Sequence, residues 1–453
     1  MDEAEPGPDS ESSGGGPWQL VSSKKEKRKA RRDESLAQPM AAARGARPQA
    51  RDEASGGDEY RDLQVPKPSL SISNTHSFRN HSVIGHYSQV RNGDVFMDKR
   101  EACHCKTVPD DGSTSLEWDL NRGFEEFEWR DRLNTKADGL KPVLKWILHK
   151  LDNPGEDALK QYPRPNAEAV TFVVQRAVMT RILTAPYPTR ESTGGWRLRV
   201  CRFQNTIYLC NDKTFGPWRN LTPAQKAKTY RRYGFERYLT SHIQPVDSSS
   251  YKYSEAAGYV TVVLTQLVPE QSEESKRTEP SASKARLFVL AAGVDGELDG
   301  LESPPRNYVE LKTITCYDKH QPEPKEYSQW FLANKLLRAW AQCYPVGIPR
   351  IVFGFHGDQG ILTSISTFKT HELPGMCGDV WFEATSLNFA DDFTKWLEKW
   401  IKETDPMREM YEVTFEPNFS SMRRSRMRLC RVEINDDHPS ILTQDFVARM
   451  MKQ

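Results

Sequence analysis

Within residues 287–313, Glu297, Asp299, Glu310 and Lys312 stand in an order that could do chemistry. Glu297 and Asp299 flank Leu298, and Glu310 and Lys312 flank Leu311 in Tyr308-Val309-Glu310-Leu311-Lys312. In extended chain, residues two apart share a face. Glu297 and Asp299 therefore point together, as do Glu310 and Lys312, while Val309 and Leu311 face a core. Paired as a hairpin, the two pieces gather all four charges on one side. Carboxylates so close repel unless a hard divalent cation sits among them. Ions held this way can activate a water and stabilise the leaving oxygen of an in-line displacement at phosphorus. Lys312 is spaced to offset the developing charge.

Other elements must position this stretch. The apolar run 287–290 predicts a buried strand leading into it. Thr222, Pro223 and Gln225 predict a helix start with a capping box, and the helix runs through residues 230–239. It carries Glu236 with Arg232 and Tyr233 on the same face, an arrangement that in an isolated helix is a surface ion pair. Residues 169–183 read as a helical or mixed stretch, stopped near Pro186. They hold Arg176 among apolar neighbours, where a guanidinium must be paired, snorkel to water or clamp a phosphate. Residues 329–344 predict a buried helix with a narrow polar stripe of Lys335, Arg338 and Gln342, which must face partners or a wet cleft.

Around these lie a strand at 259–267, hairpins at 196–210 and 351–368, and a short strand at 83–87. Leu140, Leu144, Ile147, Leu148 and Leu151 recur at helical spacing. Residues 393–401 form an amphipathic packing helix, and closing strands follow at 411–415 and 429–434. No internal repeat is present. The expected class is α+β, with mixed sheets flanked by helices in one large domain.

The chain has 453 residues with 37% hydrophobic content and a net charge of +1, and its mean hydropathy is −0.71. Such low hydropathy predicts that part of the chain is unpacked. Residues 1–66 are the candidate, a disordered tail with a basic run from Lys24 to Arg32 that suits nuclear import or a weak RNA-binding arm. Residues 67–453 form the expected domain, interrupted by a flexible insertion at 269–283. Overall charge does not announce a nucleic-acid binder. No apolar run approaches the roughly 20 residues of a membrane span, and the N-terminal residues show no signal-peptide core. The eight cysteines are expected to be reduced, in the nucleus or cytoplasm. Cys103-His104-Cys105 lacks a second ligand pair at metal spacing.

The order of the pieces resembles PD-(D/E)xK-type nucleases: a helix with Glu236, a strand with E-x-D, a strand with E-x-K, then a helix with Gln342. The chain resembles more narrowly the DXO/Rai-type decapping exoribonucleases. Tyr308-Val309-Glu310-Leu311-Lys312-Thr313 is similar to that family's "YVELKT" motif, and the run from Lys335 to Gln342 to its "KLLKWWAQ" helix. Phe235-Glu236-Arg237-Tyr238-Leu239 is similar to its "FEQYL" motif, and Asp119-Leu120-Asn121-Arg122-Gly123-Phe124 to its "DL..GY" turn. The resemblance implies removal of incomplete, NAD or triphosphate 5′ ends from RNA and 5′→3′ degradation of 5′-monophosphate RNA, in one metal-dependent site. It implies two Mg²⁺ or Mn²⁺ ions on Glu236, Glu297, Asp299, Glu310 and the Leu311 carbonyl. Lys312 and Gln342 would contact the scissile phosphate and water, Glu297 would line the RNA, and Arg176 would bind the 5′ phosphate. A monomer working on RNA 5′ ends, beside a larger 5′→3′ exonuclease, is expected; the alternative is a relative that grips such ends without cutting. The chain departs from the family pattern at Gln175 and Ala177, which flank Arg176, and at Arg232, where the family has glycine. These departures are expected to touch the wall of the RNA channel.

Overall fold

The computed structural model describes residues 60–68, 75–90, 93–106, 118–129, 139–153, 170–189, 195–212, 221–243, 257–270, 285–300, 303–315, 328–378, 380–419, 423–436 and 438–452. All lie in one compact unit, Asp58–Gln453. Two mixed sheets and their helices make an α+β fold. In spatial order the larger sheet runs Arg61–Gln64, Arg426–Glu433, Glu409–Glu416, Trp196–Phe203, Thr206–Asn211, Thr171–Gln175, Arg286–Gly293, Gly258–Pro269, His76–Gln89 and Val95–Phe96. The smaller runs Leu362–Lys369, Arg350–His356, Tyr308–Thr315, Gly296–Leu298, Cys103–Cys105 and Thr240–His242. Thr171–Gln175 is parallel to both its neighbours, and Tyr308–Thr315 is parallel to Arg350–His356.

The central strands are covered on both faces, which is why they read as continuous apolar runs. Phe172, Val174, Phe288 and Leu290 turn to one face, beneath Val178, Ile182, Trp340 and Phe393. Val173, Val289 and Ala291 turn to the other, beneath Val143, Trp146, Ile147 and Phe446. The helix Lys141–Asp152 buries Leu144, Ile147 and Leu148, as their spacing predicts. Both predicted hairpins form. Among the described residues, no helix is long and apolar enough to cross a membrane.

Two elements differ from the sequence reading, and the mixed stretch at 169–183 is resolved into its parts. Arg61–Gln64 is a strand, paired with Arg426–Leu429, inside the stretch expected to be tail. Leu63 packs against the core beside buried Val65, and Asp62 stands 3.6 Å from Arg426 and 3.5 Å from Arg428 across the pair. The rest of that tail, with Lys24–Arg32, and most of the 269–283 insertion lie outside the described residues. Residues 169–183 split into the strand Thr171–Gln175 and the helix Arg176–Thr184. The β-prone Thr-Phe-Val-Val run holds the first part extended, so Arg176 opens a helix rather than sitting inside one. The helix expected at 329–344 is interrupted by a π segment, Leu332–Leu336. Its wider turn breaks the helical phase between Lys335 and Arg338, so the three-residue stripe is not continuous. The Lys335 ammonium lies instead over the Trp330 ring, 4.9 Å from its centre.

Burial lowers the pKa of His81 and of His356 below the ordinary 6.5, and hydrogen bonds to the Tyr344 and Gly357 carbonyls offset this only in part. A folded pKa below the unfolded value means stability that is fully present above pH 6.5 and is lost as pH falls through the folded value. The urea midpoint is therefore expected to fall between pH 7 and pH 5, less steeply in a His81→Gln/His356→Gln variant; equal slopes would contradict this assignment.

Candidate active site

The chain leaves the larger sheet at Gly293 and enters the smaller one at Gly296. Gly296 pairs with Val309 and Glu297 with Tyr308. Continued one step back, that antiparallel register sets Asp295 across from Glu310. Beyond Val309 the strand Tyr308–Thr315 has no antiparallel neighbour, so the Leu311 N–H is open on that side. It donates to Asp295 Oδ2 at 2.8 Å.

Glu310 is 1% exposed. It accepts from Arg176 Nη1 at 2.6 Å and Nη2 at 3.4 Å, and from Lys312 Nζ. Arg176 reaches it because the strand Thr171–Gln175 delivers the guanidinium at the first residue of its helix.

Glu236 comes from the helix Pro223–Leu239, whose start the sequence marks. Gln225 N–H donates to Thr222 Oγ1 at 3.3 Å and Thr222 N–H to Gln225 Oε1 at 2.9 Å. Arg232 Nε lies 3.2 Å from Glu236 Oε1, one turn earlier on the same face. Gly234 lets this helix close on the Leu120 carbonyl, since a Cβ there would lie 2.2 Å from that oxygen. Gly234→Ala is expected to destabilise the fold by about 1–3 kcal/mol and to displace Glu236; an unchanged denaturation midpoint would contradict the contact.

Burial pushes the Glu236 carboxyl up to about 8, against Arg232 and with Asp295 adding to the rise. Burial, then Glu310, also raises Asp295. For Glu310 burial acts upward too, but Arg176 and Lys312 outweigh it and hold the carboxyl well below its usual range. The cluster thus sets three carboxylates, Glu236, Asp295 and Glu310, against three fixed cations, Arg176, Arg232 and Lys312.

Of the residues expected in the site, the structure brings together Glu236, Glu310, Leu311, Lys312 and Arg176. Asp299 is not among them: it lies past the strand end, its side chain 78% exposed and 2.9 Å from His104 Nδ1. Glu297 lies opposite Tyr308, two register positions away from Glu310, and pairs with Lys99 at 3.2 Å. The physical reason is the hairpin register, which sets residue 295 rather than 297 or 299 against Glu310. Asp295 is the residue the sequence reading missed. Face parity could have found it, because it lies two residues before Glu297. Two residues before Asp295, where an E-x-D pattern has its acid, stands Gly293. Half-buried Gln342 lies on the helix Leu337–Cys343 beside Cys343, whose thiol is raised by burial and by Glu310. Gln175 donates to the Gly139 carbonyl at 2.8 Å, and Ala177 is exposed. Arg232 is the departure that reaches the cluster.

The donor chemistry suits a hard divalent ion. Glu236, Asp295 and Glu310 supply only oxygen, and Glu236 Oε1 is buried and accepts no hydrogen bond among the described residues. The spacing is not that of a loaded centre: among the described residues no three His, Cys, Asp or Glu stand close enough to hold an ion. Glu310 is taken by Arg176 and Lys312, so an ion would have to draw it from them.

The chain matches a family described as "RAI1 like PD-(D/E)XK nuclease" over residues 80–447. It is 27% identical over 355 residues to the decapping and exoribonuclease protein of Xenopus laevis, covering 75% of this chain and 80% of that protein. It shares its fold with Scheffersomyces stipitis Rai1, crystallised with (3′-NADP)+ and calcium, at TM-score 0.61 and 19% identity over 86% of this chain and 100% of the other. Candida albicans Rai1 in complex with pU5-Mn2+ gives TM-score 0.62 at 18% identity, over 87% and 99% of the two chains. With the family match spanning most of its length, and with Asp295, Glu310 and Lys312 at the junction of its sheets, the chain belongs to the RAI1-like PD-(D/E)XK nuclease family.

Proposed function

We propose that this chain is a metal-dependent hydrolase of RNA 5′ ends. The observation that carries the reading is Asp295 set across from Glu310, with Lys312 two residues on and Glu236 closing the cluster. Glu236, Asp295, Glu310 and the Leu311 carbonyl would hold Mg²⁺ or Mn²⁺, which lowers the pKa of a bound water and offsets charge at phosphorus. In the reaction a water oxygen bonds to phosphorus and the bond to the leaving oxygen breaks. Lys312 orients the water and balances charge on the phosphoryl oxygens. Arg176 turns from Glu310 to a phosphate oxygen of the 5′ end, a bidentate exchange that guanidinium geometry favours. Gln342 donates to the same phosphate from the neighbouring helix.

The substrates we propose are incomplete, NAD-bearing and triphosphate 5′ ends, followed by 5′→3′ degradation of the monophosphate product. The name of the frog relative and the ligands of the two yeast relatives support this reading. The protein would act as a monomer in the nucleus, carried there by Lys24–Arg32, and also in the cytoplasm, alongside a larger exonuclease. A second reading is an RNA 5′-end binder that does not cut. Gly293 in place of an acid, and cations already on Glu236 and Glu310, favour it.

The test incubates 5′-monophosphate, 5′-triphosphate, unmethylated-cap and NAD-capped RNAs with Mg²⁺ or Mn²⁺, using Glu310→Ala as control. Loss of at least one RNA with wild type alone is expected. If all four stay intact with both proteins while still binding wild type, the binder reading replaces the hydrolase.

A further inference from the structure

Arg232 has a position that the hydrolytic reading leaves unexplained. Its guanidinium stands 3.2 Å from Glu236 Oε1, and its charge is felt by Asp295 as well. A pair with one half-exposed partner adds little stability, so its consequence is for the charge of the cluster. Here Arg232 adds a third fixed cation, beside Arg176 and Lys312, to the groups around Glu236, Asp295 and Glu310. Gly293 ends the strand Arg286–Gly293, two residues before Asp295, and contributes no side chain. The space is open: a Cβ built there meets nothing nearer than the Tyr259 carbonyl at 3.9 Å. Position 293 therefore has room for a side chain that it does not carry, while Arg232 places a guanidinium on the cluster.

An added carboxylate and a removed guanidinium together shift the local charge by two units, the charge of one divalent ion. We propose that Arg232 stands in for a second metal ion, so that this cluster takes one divalent cation rather than two. This rests on the metal-binding part of the proposed function, not on the cutting of RNA, and specifies its metal content. The guanidinium neutralises the Glu236–Asp295 side, and the single ion shares Asp295 and Glu310. Because a fixed guanidinium donates hydrogen bonds but cannot lower the pKa of a water as a metal does, Arg232 acts here as a positioning residue for the carboxylates.

The full-length protein is titrated with Mn²⁺, and bound ions are counted by calorimetry and by electron paramagnetic resonance. Wild type is expected to bind one Mn²⁺ per chain with an uncoupled six-line spectrum. Arg232→Gly/Gly293→Glu is expected to bind two, with the broadened, spin-coupled spectrum of ions about 4 Å apart. Two ions in wild type overturn the inference by themselves, whether or not the double variant folds. A folded double variant that still binds one ion also overturns it. One ion in wild type with no hydrolysis of any RNA leaves the inference standing and removes the hydrolase reading; no ion in wild type removes both.

Discussion

Asp295→Asn is expected to slow RNA 5′-end hydrolysis by at least about 10²-fold, while Asp299→Asn leaves it within about threefold. The first figure follows because even groups that only orient metal ligands are worth about 10–100-fold, and Asp295 faces Glu310 directly. Asparagine can still accept the Leu311 N–H that Asp295 Oδ2 holds at 2.8 Å, so the loop keeps its shape while its charge is lost. The second figure follows because the Asp299 side chain is 78% exposed beside His104, and an exposed pair is worth under about 1 kcal/mol. Single-turnover rates on 5′-labelled RNA separate the two. Equal losses in both variants, or a larger loss at Asp299, would refute the register assigned here.

Arg176→Met is expected to destabilise the protein by about 3 kcal/mol. Glu310 is 1% exposed and Arg176 holds both its oxygens, so removing the guanidinium leaves a buried carboxylate short of its main partner. The cost falls at the lower end for a broken buried pair because Lys312 still neutralises the charge. Glu310→Gln placed on top of Arg176→Met is expected to recover part of the loss, since it is the unpaired charge that is costly. Arg232→Met is the contrasting case. Its side chain is 43% exposed, and its removal is expected to cost under about 1 kcal/mol. Urea midpoints of the four proteins at pH 7 give the comparison; an Arg176 effect no larger than the Arg232 effect would contradict the buried pair.

Local signals carried much of this fold into the sequence. Thr222, Pro223 and Gln225 mark a helix start by chemistry that needs no tertiary partner, and it forms as expected. The run 287–290 and its neighbours are apolar on both faces because helices cover both sides, so strand and burial were legible together. The small acid-x-lysine strand was legible for the same reason: its alternation separates Val309 and Leu311 from Glu310 and Lys312.

What failed depended on register and on distant partners. Glu297-Leu298-Asp299 satisfies an acid-x-acid pattern as a string, but pairing of Glu297 with Tyr308 moves the useful carboxylate back to Asp295. Tripeptide matching cannot see that shift, whereas counting across the hairpin can. Arg61–Gln64 joins the sheet by pairing with Arg426–Leu429, more than 360 residues away in sequence, and by packing Leu63 on the core, contacts no window of sequence contains. Arg232 was visible as a departure and as a neighbour of Glu236. Its effect on the carboxylates became visible only when Asp295 and Glu310 were brought beside it.

The most direct test of the central claim is anomalous diffraction from crystals of this protein soaked in Mn²⁺ with a non-hydrolysable 5′-monophosphate oligoribonucleotide. The account predicts an ion peak among Glu236, Asp295 and Glu310, with the terminal phosphate against Lys312 and Arg176. A peak at Glu297 and Asp299, or RNA bound with no ion at the cluster, would contradict it.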